Sequence, residues 1–176
     1  MPTTEKPAPS PATRRYLRWI ACGLLLAGGT LPGVALAAMD CSVSSTGLGF
    51  GEYDPLATAD DDSTSNIAVT CTRVIFVDPF RIDYTLSLSR GSSGNYAQRR
   101  MNAGTARLNY NLYRNAARSQ IWGDGSNSTG TVAGTANFNW FQTSQTNNHT
   151  VYGRAPAQQN AVPGSYSDAV VLTIAF

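Results

Sequence analysis

The stretch GSYSDAVVLTIAF (164–176) decides the fold. Tyr166, Val170, Leu172, Ile174 and Phe176 alternate with Ser167, Ala169, Val171, Thr173 and Ala175, and Asp168 is the one polar member of the even set. A period of two sends successive side chains to opposite faces, so the pattern predicts a half-buried β-strand. It occupies the last residues of the chain, so the expectation is a strand with one edge that no later segment covers. Proteins normally cover such an edge. The rest of the sequence has to say with what.

The same alternation recurs upstream. SNIAVTCT (65–72) puts Ile67, Val69 and Cys71 on one face, and FRIDYTLSLSRG (80–91) puts Phe80, Ile82, Tyr84, Leu86 and Leu88 inward. RLNYNLYR (107–114) repeats the scheme with Leu108, Tyr110 and Leu112, while ANFNWFQ (136–142) adds Phe138 and Trp140 and leaves Phe141 on the other face. Clusters typical of turns separate them: ATADDDSTSN (57–66), RGSSGNY (90–96), WGDGSNSTG (122–130) and NAVPGS (160–165). No stretch longer than a few residues holds an apolar period of 3.6. The expected fold class is all-β, a two-sheet sandwich.

The front of the chain reads as an address. Arg14, Arg15 and Arg18 precede WIACGLLLAGGTLPGVALAA (19–38), which is too short and too broken by Gly and Pro for a good membrane span. It closes on Ala35-Leu36-Ala37, a small-residue cleavage site, so residues 1–37 are expected to be a secretory signal peptide and 38–176 one exported domain. Arg14-Arg15 leaves a twin-arginine route as the alternative. Neither Cys22 nor Cys41 has lipobox surroundings, so no membrane anchor is expected in the mature chain. That mature chain carries nine Arg and no Lys against ten Asp or Glu, a formal charge of −1. The basic balance of the whole chain therefore gives no argument for nucleic acid. Cys41 and Cys71 remain after cleavage, and in an exported protein two cysteines most simply form one disulfide, with two free thiols as the other reading.

Residues for catalysis do not assemble into a pattern. His149 is the only histidine, in the polar stretch TNNHT (146–150), and no G-x-S-x-G elbow, H-E-x-x-H or phosphate-binding loop occurs. Asp60, Asp61 and Asp62 could offer oxygens to calcium, but nothing around them has EF-hand spacing. No enzyme activity, metal or cofactor is expected. Trp122, Trp140 and Phe141 raise sugar stacking as an alternative, against the commoner role of strand aromatics as core.

A set of short motifs in order carries a resemblance. Cys41 opens it, followed by GLGFGEYDP (47–55), Cys71, RRM (99–101), LNYNLY (108–113), WGDG (122–125), VYGRAP (151–156) and GSYSD (164–168). The chain resembles the spore coat protein U domain family, the subunit type of archaic, Csu-type chaperone–usher pili, over nearly its whole mature length. The resemblance implies an incomplete immunoglobulin-like sandwich that lacks its last strand. It also implies three partners: a periplasmic pilus chaperone, an outer-membrane usher, and a neighbouring subunit that supplies the missing strand by β-augmentation. Val170, Leu172, Ile174 and Phe176 would then border the acceptor groove, and the protein would travel through the periplasm to the cell surface. A soluble carbohydrate-binding or coat protein of the same fold is the alternative.

One feature departs from a shaft subunit. Cleavage after Ala37 leaves Ala38-Met39-Asp40 ahead of Cys41, and three residues span only about 10 Å. The expectation is a subunit that accepts a strand and donates none, placed at the fibre tip.

Overall fold

Eight strands in two sheets account for the alternation read from the sequence. The computed structural model describes residues 39–176, and the expected signal segment lies outside them. The strands are β1 (Asp40–Ser45), β2 (Asp61–Thr72), β3 (Arg81–Leu88), β4 (Arg99–Ala103), β5 (Ala106–Tyr113), β6 (Val132–Asn137), β7 (Ser144–Ala155) and β8 (Leu172–Ala175). One sheet has the order β1-β2-β7-β5-β4, the other β6-β3-β8, and every neighbouring pair is antiparallel.

The core lies between the sheets and is built from alternate residues. Ile67, Val69, Leu108, Tyr110, Leu112 and Val151 of the larger sheet meet Ile82, Tyr84, Leu86 and Leu88 of β3, all buried. Each such aliphatic side chain contributes on the order of 1.5–3 kcal/mol when withdrawn from water. Trp122 is fully buried beside them, and its indole N–H donates to the Leu86 carbonyl at 3.2 Å. Gly134 of β6 is required by this packing, because a Cβ there would overlap the Tyr84 ring.

Two expectations about strands need correction. Asp61–Thr64 of the expected turn cluster and the polar stretch TNNHT both belong to the longest strands, which pair over twelve residues from Asp61↔Ala155 to Thr72↔Ser144. Main-chain pairing and cross-strand side-chain bonds override polar composition here. Asn66 donates to Asn148 at 2.9 Å, and Arg154 holds Asp62 through two bonds of 2.7 and 2.8 Å. The Arg154 hydrogen bond keeps the Asp62 carboxyl below its usual range, with Arg118 adding to the pull. His149 consequently sits on β7, where its Nε2 lies 2.8 Å from the Tyr84 hydroxyl and burial lowers its pKa. It clasps one sheet to the other.

Two aromatic side chains also leave the expected core. Strand β6 stops at Asn137, and the chain turns around Arg73, so the parity that Phe138 keeps is lost by Trp140. Trp140 is 65% exposed and meets the half-exposed Phe80 edge to face at 5.0 Å.

Cys41 and Cys71 stand opposite each other in the β1–β2 ladder and form a disulfide, 30 residues apart in sequence. Closing a loop of that size stabilises by about 3–4 kcal/mol in the chain-entropy account. Thiol labelling of the denatured, unreduced protein is expected to find neither cysteine free, and Cys71→Ser to leave little stable protein. Labelling at both positions would refute this.

Candidate functional site

Strand β8 is hydrogen-bonded on one side only. It pairs with β3 from Leu172↔Leu88 to Ala175↔Thr85, and among the described residues no strand pairs with its other edge. Val171 points outward and is 64% exposed, whereas Val170, Leu172 and Ile174 are half-buried against the core.

Beside that edge the core opens into three adjoining cavities. The first, about 140 Å³, is floored by Ile67, Leu88, Leu112 and Val151 and edged by Val170 and Leu172. The second, about 240 Å³, shares Leu48, Leu112 and Val170 with the first and adds Phe50, Met101, Tyr110 and Asp168. The third, about 850 Å³, shares Leu48, Phe50, Met101 and Tyr166 and extends to Tyr53 and Leu108. Because neighbours share residues, they form one continuous groove. Its floor is otherwise buried core.

Both walls are made by the short motifs. GLGFGEYDP forms one, bent where Gly47 and Gly51 adopt φ of +76° and +79°. Leu48 and Phe50 lie over Gly153 of VYGRAP, where a Cβ would come within 2.8 Å of the Leu48 methyls and 3.0 Å of the Phe50 ring. Phe50 also meets Tyr110 edge to face at 5.9 Å. The Tyr53 hydroxyl donates to the Pro156 carbonyl at 2.7 Å and accepts from the Gln159 N–H at 2.9 Å. GSYSD and the residues after it form the other wall. Ser167 exchanges two backbone bonds with Asn102 of β4, and Val171 accepts from the Ser89 N–H at the end of β3.

A buried cation braces the structure beneath. Arg99 of RRM is fully buried and donates only to neutral oxygens: the Ser89 carbonyl twice, the Trp122 carbonyl of WGDG at 2.7 Å, and Asn111 Oδ1 of LNYNLY at 2.8 Å. Burial holds its pKa below the usual guanidinium value. Three motifs that look separate in sequence thus meet in one polar network, and Asn111 extends it to the Tyr96 and Ala97 carbonyls.

Of the residues expected at the groove, Val170 and Leu172 line it. Ile174 packs on the core further along β8. Phe176 is 56% exposed and lines a separate concavity with Arg81, Asp83 and Gly134. Leu48, Phe50 and Met101, which periodicity did not single out, complete the walls; the GLGFGEYDP and RRM motifs were their sequence signals. Among the described residues no group of three or more His, Cys, Asp or Glu is placed to hold a metal.

At the opposite end of the sandwich, Phe76, Val77, Trp140 and Phe141 are exposed together on the β2–β3 and β6–β7 loops. Arg73 is buried between these loops, donating to the carbonyls of Asp78, Asn139, Trp140 and Gln142 and lying 4.5 Å from the Phe80 ring centre.

Comparison with known proteins places these features in context. The family described as the Spore Coat Protein U domain matches residues 29–173. The chain is similar to Protein U of Myxococcus xanthus, with 32% identity over an alignment of 147 residues that covers 77% of this chain and 77% of that protein. Among solved structures it is similar to the chaperone–tip adhesion subunit pre-assembly complex from archaic chaperone-usher Csu pili of Acinetobacter baumannii. That likeness has 21% identity and a TM-score of 0.49, covering 79% of this chain and 40% of the matched one.

Proposed function

The chain belongs to the Spore Coat Protein U domain family, and from that premise we propose that it is an exported pilus subunit completed by a strand from a neighbour. The observation that carries this reading is the groove: a one-sided edge strand beside cavities floored by Ile67, Leu88, Leu112 and Val151. An extended segment laid along β8 would satisfy its main-chain groups and place alternate side chains in those cavities. A periplasmic chaperone fills the groove first, and a neighbouring subunit replaces it at the usher. Val170 and Leu172 face the incoming strand, and Ile174 packs on the core further along β8. Phe176 stands at its far end. The family's own description favours a second reading, a coat protein of the same fold, which needs no such strand.

We further propose that the subunit ends the fibre. Cleavage after Ala37 leaves three residues before Cys41, about 10 Å of chain, too little to cross a neighbour's groove. The chain enters β1 at the end of the sandwich that carries Phe76, Trp140 and Phe141, since Asp40 pairs with Thr72 beside Arg73. A donated strand would leave from that end, so in a subunit that donates none the aromatic loops stay uncovered. Contiguous exposed apolar groups mark contact surfaces, and this one serves adhesion.

The test is self-assembly. Released from its chaperone, the mature protein is expected not to polymerise alone, yet to bind the N-terminal peptide of a shaft subunit. A mature start well before Cys41 by mass spectrometry, or long unaided fibres in electron micrographs, would make it a shaft subunit. A stable, soluble monomer with no affinity for the peptide would favour the coat reading.

A further inference from the structure

We propose that Asp168 is a positioning residue that latches one wall of the groove and so sets its width for the incoming strand. This rests on the strand-acceptor reading above. Asp168 is the polar exception in the apolar face of 166–176, and its carboxylate is fully engaged. Oδ2 accepts from the Tyr110 hydroxyl at 2.6 Å; Oδ1 accepts from the backbone N–H of Ser92 at 2.8 Å and of Ala169 at 2.9 Å.

The position of these bonds gives them their role. At Ser167 the chain is bonded to Asn102 on the edge strand of the five-stranded sheet, and at Val171 it is bonded to Ser89 at the end of β3, the central strand of the three-stranded sheet. Between those points it crosses the mouth of the sandwich, and Asp168 ties the crossing down to β5 and to the short turn Gly91–Ser93. The turn is itself braced: Asn102 Nδ2 donates to Ser92 Oγ at 2.7 Å, and Ser92 Oγ donates to the Arg100 carbonyl at 3.1 Å. Space for the carboxylate is reserved, since Gly91 has φ of +67° and any Cβ there would overlap Asp168. Two residues on, Val170 faces the groove opposite Leu48 and Leu112.

A wall held in place before binding spares the partner the entropy of ordering it. Without the latch β8 keeps its pairing to β3, but the crossing is free to swing, and a captured strand escapes faster. Charge-assisted bonds are the stronger kind, and losing one corresponds to roughly a tenfold change.

The experiment uses the mature subunit freed from its chaperone and a synthetic peptide carrying the segment that precedes the first cysteine of a shaft subunit. Asp168→Asn, and independently Gly91→Ala, are expected to release the peptide about tenfold faster or more. Hydrogen exchange should rise at residues 166–171 while β2 and β7 keep wild-type protection. Wild-type release rates in both variants, or exchange rising evenly through both sheets, would overturn the proposal. If the wild type captures no peptide, the strand-acceptor reading fails instead. The exchange of 166–171 in Asp168→Asn then still decides whether the latch exists.

Discussion

Replacing Leu172 and Ile174 together by Asp is expected to remove the subunit from the chaperone-bound fraction of the periplasm and leave it to proteolysis. Both side chains face inward from β8, opposite Leu88 and Leu86, which are buried. A carboxylate placed there would lie half-buried against that apolar core, and withdrawing an unpaired charge from water costs up to several kcal/mol, on the order of the whole stability of a domain. The control lies on the same strand. Val171→Asp with Thr173→Asp adds the same charge on the outward face, where Val171 is 64% exposed, and is expected to be recovered normally. Equal recovery of the two double variants with the chaperone would reject the groove assignment.

The second large effect concerns Arg99. Arg99→Met keeps most of the volume but strips every donor, leaving the Ser89 and Trp122 carbonyls and Asn111 Oδ1 without their partner. Each buried acceptor left unpaired costs about 1–3 kcal/mol, so the loss is on the order of 3–5 kcal/mol. At about 2–4 °C per kcal/mol for a domain of this size, the melting temperature should fall by roughly 10–15 °C. Arg99→Lys should recover only part, because one ammonium cannot reach all three acceptors at once. A melting temperature within a few degrees of wild type for Arg99→Met would show that the network is not a principal brace.

How much of this was legible in the sequence follows from where side chains are sorted by water. Leu108, Tyr110 and Leu112, or Ile82 through Leu88, alternate cleanly because one face is core and the other solvent. The all-β, two-sheet reading rests on them and holds. Asp61–Asn66 and Gln145–His149 carry no such contrast. In the β7 stretch Asn147 and His149 bond across the sheets to Tyr84 and Thr135, and in the β2 stretch Ser63 donates to the Gly49 carbonyl, so periodicity is silent there. Trp140 was misplaced because a strand's parity means nothing past the strand's end. The groove was half visible. Val170 and Leu172 lie on a periodic strand, whereas Leu48 and Phe50 lie on a bent segment whose shape depends on two glycines and on the gap at Gly153.

The disulfide at the first pairs of the β1–β2 ladder also fixes a path for mechanical load. Tension applied ahead of Cys41 cannot peel β1 from the sheet, because the covalent link hands it to Cys71 one residue from the end of β2. From there it runs along β2, whose twelve bonded positions against β7 are loaded in shear together and not opened one by one. A pull on the N-terminal end therefore loads the longest strand pair of the sandwich before it can open the β1 edge.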